Sequence, residues 1–245
     1  PQFDGVADFP SKCDDLPSLP LESLNGLLFT SLSPGFSFKS LADFVLKYVS
    51  WFPFADLTFH PKLSQKFEVK AHWALYCDNY LEGFHIPYVH QSLNKVLDYG
   101  NYETTLSEFA VLQTGIAKDD EPHFTLPANS PDFGKKVAAY YFWLFPNIML
   151  NFYPWGLSLN LIQPQTKANT KVSFLTYISD NSAYNTGAGS GLDTVELEDE
   201  AVVENVQRGI SSRLYQHGRF SPEMEQGTHH FHRLIARFMA AENSG

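Results

Sequence analysis

The sequence predicts an α+β chain in which a curved antiparallel sheet wraps around a long C-terminal helix. Four β-rich runs, 140–144, 148–153, 157–162 and 172–178, are punctuated by Pro146-Asn147, Pro154-Trp155-Gly156 and Pro164-Gln165. Strands joined by short turn-forming links read as an antiparallel meander. Residues 193–241 then switch to helical spacing of apolar residues. No internal repeat or low-complexity tract breaks the pattern. A chain of 245 residues with 44% hydrophobic content is long enough to bury one sizeable core.

Residues 1–20 are rich in Pro, Asp and Ser and read as an irregular arm. The run Leu21 to Leu32, with the turn dipeptide Asn25-Gly26 inside it, ends as a β-like segment expected to pack poorly by itself. Ser40 to Tyr48 places Leu41, Phe44, Val45 and Tyr48 at helical spacing, with Ser40 as the expected cap. Trp51-Phe52-Pro53-Phe54 is an aromatic loop, and Leu57 to Val69 is expected to be extended. His72 to Gly83 predicts a buried helix, because Trp73, Leu75, Tyr76, Tyr80 and Leu81 spread over a broad face. Gln91 to Gly100 is polar and expected to be mobile. Residues 102–106 and 109–115 form a hairpin through Ser107-Glu108. Ala117 to Phe133 reads as a loop over a pocket mouth. Strand alternation sends about half of the aromatic residues between Tyr140 and Tyr153 to the inner face of the sheet. Tyr141, Phe145 and Phe152 are the expected substrate-lining residues. Ser182 to Gly191 is a glycine-rich flexible link. Asp193 to Arg213 and Pro222 to Ala241 are the final helices.

The formal net charge of -10 argues against nucleic acid and anionic membranes as partners. No apolar run approaches the length of a membrane span. Both features predict a cytoplasmic chain. Aromatic residues make up 15% of the sequence, with 21 Phe and 12 Tyr, enough to fill a core and to line an apolar pocket as well. Cys13 and Cys77 do not make a disulfide framework.

The chemistry centres on the stretch Asp78-Asn79-Tyr80-Leu81-Glu82-Gly83-Phe84-His85-Ile86-Pro87-Tyr88-Val89-His90. On a straight helix, five residues turn through roughly 500°, leaving His85 and His90 about 140° apart. Pro87 lacks an N–H and clashes with the carbonyl four residues back, so the helix is expected to end or kink between Gly83 and Pro87. The turn that follows can swing His90 beside His85. A carboxylate from elsewhere would complete a 2-His-1-carboxylate face, the donor set that suits non-haem Fe(II) and leaves positions open for dioxygen. Glu82, three residues before His85, can accept a hydrogen bond from a histidine's second nitrogen and fix its tautomer. Asp78 reads as a polar helix position. His229-His230-Phe231-His232 has no spacing that fits a structural zinc site and reads as a helix surface.

This stretch resembles the iron-binding segment of the catalytic α-subunits of Rieske non-haem iron oxygenases, the ring-hydroxylating oxygenases, and the resemblance extends over most of the chain. It implies that His85 and His90 bind a mononuclear iron. It also implies that Glu82 bridges to a Rieske histidine of the next subunit in a homotrimer. The family's acidic helix resembles Glu198-Asp199-Glu200-Ala201-Val202-Val203-Glu204-Asn205-Val206-Gln207-Arg208-Gly209. Asp199 matches the third iron ligand best, with Glu198 and Glu200 as adjacent alternatives. The fold implied is the helix-grip arrangement of START and Bet v 1-like domains. Family members carry an N-terminal Rieske domain whose Cys-x-His and Cys-x-x-His pairs hold a [2Fe–2S] cluster. Neither pair occurs here. Residues 1–33 are therefore expected to be a remnant segment returning from a missing Rieske domain, and residues 34–245 the mononuclear iron domain. The activity implied is hydroxylation of a small aromatic or quaternary-amine substrate with O2, with electrons from a Rieske domain, ferredoxin or reductase. The competing expectation is a helix-grip binding module for an apolar ligand, its metal site vestigial or differently metallated.

Overall fold

The computed structural model describes residues 2–242. The outer ends of both expected segments, residue 1 and residues 243–245, lie outside the described residues. The segment expected to be a poorly packing strand is a two-stranded hairpin, β1 (Leu21–Leu24) and β2 (Leu27–Thr30). Asn25 and Gly26 both take positive φ, as a tight two-residue hairpin turn requires. The hairpin is anchored to the core through Leu24, which is fully buried. Helix α1 (Phe38–Val49) starts two residues before the expected Ser40, with Ser37 in the cap position. Strands β3 (Thr58–Phe59) and β4 (Gln65–Val69) follow, then α2 (Trp73–Leu81), α3 (Ile86–Val89) and α4 (Gln91–Val96). The stretch expected to be mobile after His90 is thus largely helical.

Six further strands build the rest of the sheet: β5 (Glu103–Leu106), β6 (Ala110–Ile116), β7 (Val137–Leu144), β8 (Ile148–Tyr153), β9 (Gly156–Thr166) and β10 (Asn169–Ile178). The strand order is β3-β10-β9-β8-β7-β6-β5, with β4 also pairing with β10, and every pairing is antiparallel. The meander expected from the turn residues is present. The chain closes with α5 (Leu192–Ile210) and α6 (Gln226–Glu242). No described helix is long and apolar enough to cross a membrane.

Period-two alternation divides the central strands between two cores. Tyr140, Phe142, Leu150, Phe152, Leu157 and Leu159 face α1 and the hairpin. Trp143, Met149 and Ile162 face the opposite way, toward Tyr76, Cys77 and Leu81 of α2, Val203 of α5 and Phe231 and Leu234 of α6. The sheet therefore packs against a group of three helices on this face, with α2 the innermost: Gln113 donates to the Tyr80 carbonyl at 2.6 Å, and the Tyr80 hydroxyl donates to Asn151 Oδ1 at 2.7 Å. The loop expected over a pocket mouth starts beside the cavity wall, where Ala117 packs with Leu97 and Tyr141, and further on it reaches the α1 side. Phe124 stacks on Tyr140 at 5.8 Å and, with Leu126, belongs to the α1-side core. The glycine-rich link is packed as well, with Ala188 and Gly189 buried.

Candidate metal centre

Helix α2 is capped by His72, whose ring nitrogen accepts the Ala74 N–H, and ends at Leu81. Glu82 is already extended, at φ -118° and ψ 124°. The break falls one residue before the expected Gly83–Pro87 window. Pro87 instead sits in the first turn of α3, where its missing N–H costs nothing. His85 caps α3 and His90 ends it, so the short helix fixes both imidazoles at its two ends. Glu82 locks the turn twice, accepting the His85 backbone N–H at 3.1 Å and facing His85 Nδ1 at 2.6 Å.

Helix α5 brings the carboxylate. Two side chains tether it to the segment preceding α2: Glu204 accepts the Lys70 N–H at 2.9 Å and Gln207 accepts the His72 N–H at 2.8 Å. One turn and more before these, Asp199 points between the histidines. Its Oδ1 lies 3.0 Å from His90 Nε2 and 3.5 Å from His85 Nε2, and the two Nε2 atoms are 3.1 Å apart. Among the described residues, these three form the group whose donor atoms converge closely enough to hold one metal ion.

The surrounding groups fit a metal. His85 Nδ1 is tied to Glu82, and His90 Nδ1 lies 2.7 Å from Glu198 Oε2. Each Nε2 is thereby left to face the common point, the pattern in which outer carboxylates orient metal-binding imidazoles. Asn79 donates to Asp199 Oδ1 at 2.6 Å and steadies it. The adjacent acids thus divide: Asp199 joins the cluster, Glu198 backs His90, and Glu200 takes part in neither. Burial alone would push the imidazole of His85 down, but hydrogen bonds to Asp199 and Glu82 more than offset it and hold it at about 9. The same balance raises His90. Burial pushes the Asp199 carboxyl up, and hydrogen bonds to His85 and His90 win, holding it below the usual carboxylate range.

A cavity of about 100 Å³ opens beside the cluster. Tyr141 lines it, together with Tyr76, Tyr80, Tyr102, Tyr153 and Phe174, and a polar floor comes from Gln113, Asn151, Ser158 and Asn160. Phe145 and Phe152 do not line it. Phe152 pairs across from Tyr140 and points to the α1 side, where it packs on Phe52 at 5.0 Å. Phe145 lies just past the end of β7 and stacks on Phe238 at 4.8 Å, beside a separate groove. Phe152 was expected inside because aromatic residues alone do not reveal the phase of a strand. The polar floor had no signal of its own in the sequence, since single Gln, Asn and Ser residues in strands are unremarkable until their facing is known. Asp78 and His232, both expected as plain surface positions, pair at 2.9 Å and link α2 to α6. Phe231 is fully buried between them and the sheet.

A family model described as the ring-hydroxylating α-subunit catalytic domain matches residues 54–241. The chloroplastic choline monooxygenase of Arabidopsis thaliana is 33% identical over 179 residues, covering 70% of this chain and 40% of that protein. The carnitine monooxygenase oxygenase subunit of Escherichia coli (strain K12) is 28% identical over 253 residues, covering 96% of this chain and 65% of that protein. The chain thus spans less than two thirds of either relative. A solved structure of a quaternary ammonium Rieske monooxygenase in complex with an inhibitor has a TM-score of 0.72 at 21% identity, covering 97% of this chain and 66% of that one. Dicamba monooxygenase bound to dicamba has a TM-score of 0.52 at 15% identity, covering 93% of this chain and 71% of that one. At these identities the two structures show a shared fold. With the family model extending over most of the chain and enclosing His85, His90 and Asp199, the chain belongs to the ring-hydroxylating α-subunits, of which it holds the catalytic domain.

Proposed function

We propose that this chain is the oxygen-activating domain of a monooxygenase that hydroxylates a small quaternary amine. The observation that carries the reading is the convergence of His85 Nε2, His90 Nε2 and Asp199 Oδ1, with both Nδ1 atoms held by carboxylates. A two-nitrogen, one-carboxylate donor set suits Fe(II) with open positions. Iron held there would supply activation of O2, in the overall reaction R–H + O2 + 2 e⁻ + 2 H⁺ → R–OH + H2O.

The chain's own side chains do the rest. Glu82 and Glu198 hold the two Nδ1 atoms and aim each Nε2 at the common point. The tyrosine-lined wall excludes water and offers ring faces that attract a quaternary ammonium. Tyr141 and Tyr153 meet edge to face at 6.0 Å, and Tyr153 stacks on Trp155 at 5.0 Å, so this wall is braced from behind. The relatives named for choline and carnitine oxidation favour an amine over an aromatic ring as substrate. The two electrons are assigned to a Rieske [2Fe–2S] protein, with Glu82 as the relay toward it across a homotrimer boundary. The architecture is read as a helix-grip fold in which the sheet embraces α2, α5 and α6, and the charge fits a cytoplasmic setting.

The test supplies the iron-loaded chain with a reduced Rieske protein and measures O2 consumption with choline, carnitine and an aromatic acid. The expected result is amine-dependent uptake with one oxygen atom from ¹⁸O2 in the product. Uptake driven only by the aromatic acid would overturn the substrate class. No uptake by a chain that holds iron stoichiometrically would favour the binding-module alternative.

A further inference from the structure

Glu196 lies one turn before Asp199 on α5 and lines the same cavity. Residues three apart on a helix share a face, so the two carboxylates look the same way. The residue is only 3% exposed. The Tyr76 hydroxyl donates to Oε2 at 2.5 Å, while Oε1 is buried with no hydrogen-bond partner. A buried carboxylate oxygen without a partner is costly, and such groups in native structures call for an explanation. Burial pushes this carboxyl well above the usual range, against the Tyr76 hydrogen bond and with Asp199 and Glu200 adding to it, and a cation in the cavity would offset that cost and favour the ionised form.

The rest of the wall carries a matching message. The cavity is lined by Glu82, Glu196 and Asp199 and, among the described residues, by no Lys or Arg. With Glu82 engaged by His85 and Asp199 by both histidines, Glu196 is the lining acid not committed to the metal cluster. The same cavity is lined by neutral amides and a hydroxyl: Gln113, with a buried and unpartnered Oε1, Asn151, Asn160 and Ser158.

We propose that Glu196 is a specificity-determining residue that receives the ammonium group of the substrate, and that the pocket selects amines whose other end is uncharged. This narrows the quaternary-amine reading above and rests on it. An amine with a hydroxyl at its far end meets polar neutral partners on the floor. An amine carrying a carboxylate meets further carboxylates and no cation, which is discrimination by repulsion as well as by fit.

The experiment titrates the full chain, loaded with Zn(II) as a redox-inert probe, with three ligands: choline, its neutral carbon isostere 3,3-dimethylbutan-1-ol, and carnitine. Wild type should bind choline roughly ten-fold or more tightly than either of the others, about 1.4 kcal/mol, as an ion pair without a hydrogen bond in a desolvated site can supply. In Glu196→Gln, which keeps an acceptor for Tyr76, the preference for choline over the isostere should collapse to within about three-fold. Glu196→Asp should retain part of it. Each preference is a ratio within one variant, so a partly folded preparation does not distort it. An unchanged choline-to-isostere ratio in Glu196→Gln, or carnitine bound as tightly as choline by wild type, would overturn the proposal and leave the oxygenase reading standing. If the wild-type chain held the metal and bound no quaternary amine at all, the substrate reading itself would fall, and this assignment with it.

Discussion

At the scale of single residues, the three adjacent acids of α5 make the sharpest test. Each step along a helix turns about 100°, so only one of three consecutive side chains can aim at a fixed point. Asp199→Ala, His85→Ala and His90→Ala should each abolish stoichiometric Fe(II) binding with little change in far-UV circular dichroism, since His85 and His90 flank the short α3 and all three side chains line a cavity. Glu198→Ala should lower metal affinity by roughly 10–100-fold, because it frees the His90 ring rather than removing a ligand. Glu200→Ala should leave affinity close to wild type. Metal titration of the five variants decides among them, and tight iron binding by Asp199→Ala would remove it from the ligand set. Protonation gives a second test at the same residues. The His85 imidazole is raised from 6.5 to about 9 by its carboxylate partners. In the metal-free chain this pairing stabilises fully below the unfolded value of 6.5 and is lost as pH rises through about 9. Metal binding runs the other way, because the imidazole must shed its proton first. Apparent Co(II) affinity should therefore climb between pH 6.5 and about 9 while metal-free stability declines, as read by titration and by denaturant midpoint.

At the scale of elements, the site depends on how closely α2, α5 and α6 approach one another. Gly227, in the first turn of α6, leaves room for the end of α2: a Cβ there would stand 2.7 Å from the Leu81 carbonyl oxygen and 3.3 Å from Val111. A backbone carbonyl cannot step aside as a flexible side chain would. Gly227→Ala should therefore destabilise by about 1–3 kcal/mol through overpacking, less the ~1 kcal/mol that alanine returns in helix propensity. A lowered denaturant midpoint, together with weaker metal binding from a displaced Leu81–Glu82 junction, is the expected outcome. A midpoint at or above wild type would show that α6 can shift away at no cost. The Pro87 turn teaches a related point. Proline was expected to break α2, yet the break comes earlier, at Glu82, whose carboxylate replaces the next helical bond by holding the His85 N–H. Proline then opens α3. The same residue that cannot continue one helix is well suited to begin another.

At the scale of the whole molecule, the proposed reaction draws its two electrons from a donor other than the His85–His90–Asp199 centre. Cys13 is exposed and Cys77 is buried in the helix-side core, its thiol pushed up by burial. The iron-loaded chain should accordingly show no sustained NADH-driven hydroxylation with a reductase alone, and turnover should appear only when a Rieske protein is added. Product formation without that protein, measured over many turnovers, would contradict the proposed division of labour.

Residue types and spacing determined a good deal here. Six of the sheet's strands were legible, four because turn residues punctuate them and two as the hairpin through Ser107-Glu108, and the two-histidine motif because its spacing and Pro87 are local features. Asp199 was legible as the best of three acids, through a resemblance and not through spacing. Tertiary structure alone decided what depends on facing and on long-range approach. Tyr141 lines the cavity while Phe152 packs behind the sheet, because neighbouring strand positions point to opposite faces and an aromatic run reads alike in either phase. Glu198 serves His90 across 108 residues of chain, and Glu196 meets Tyr76 across 120. Such pairings are set by the packing of α5 against α2, where charge, burial and distance act together, and no local stretch of sequence contains both partners.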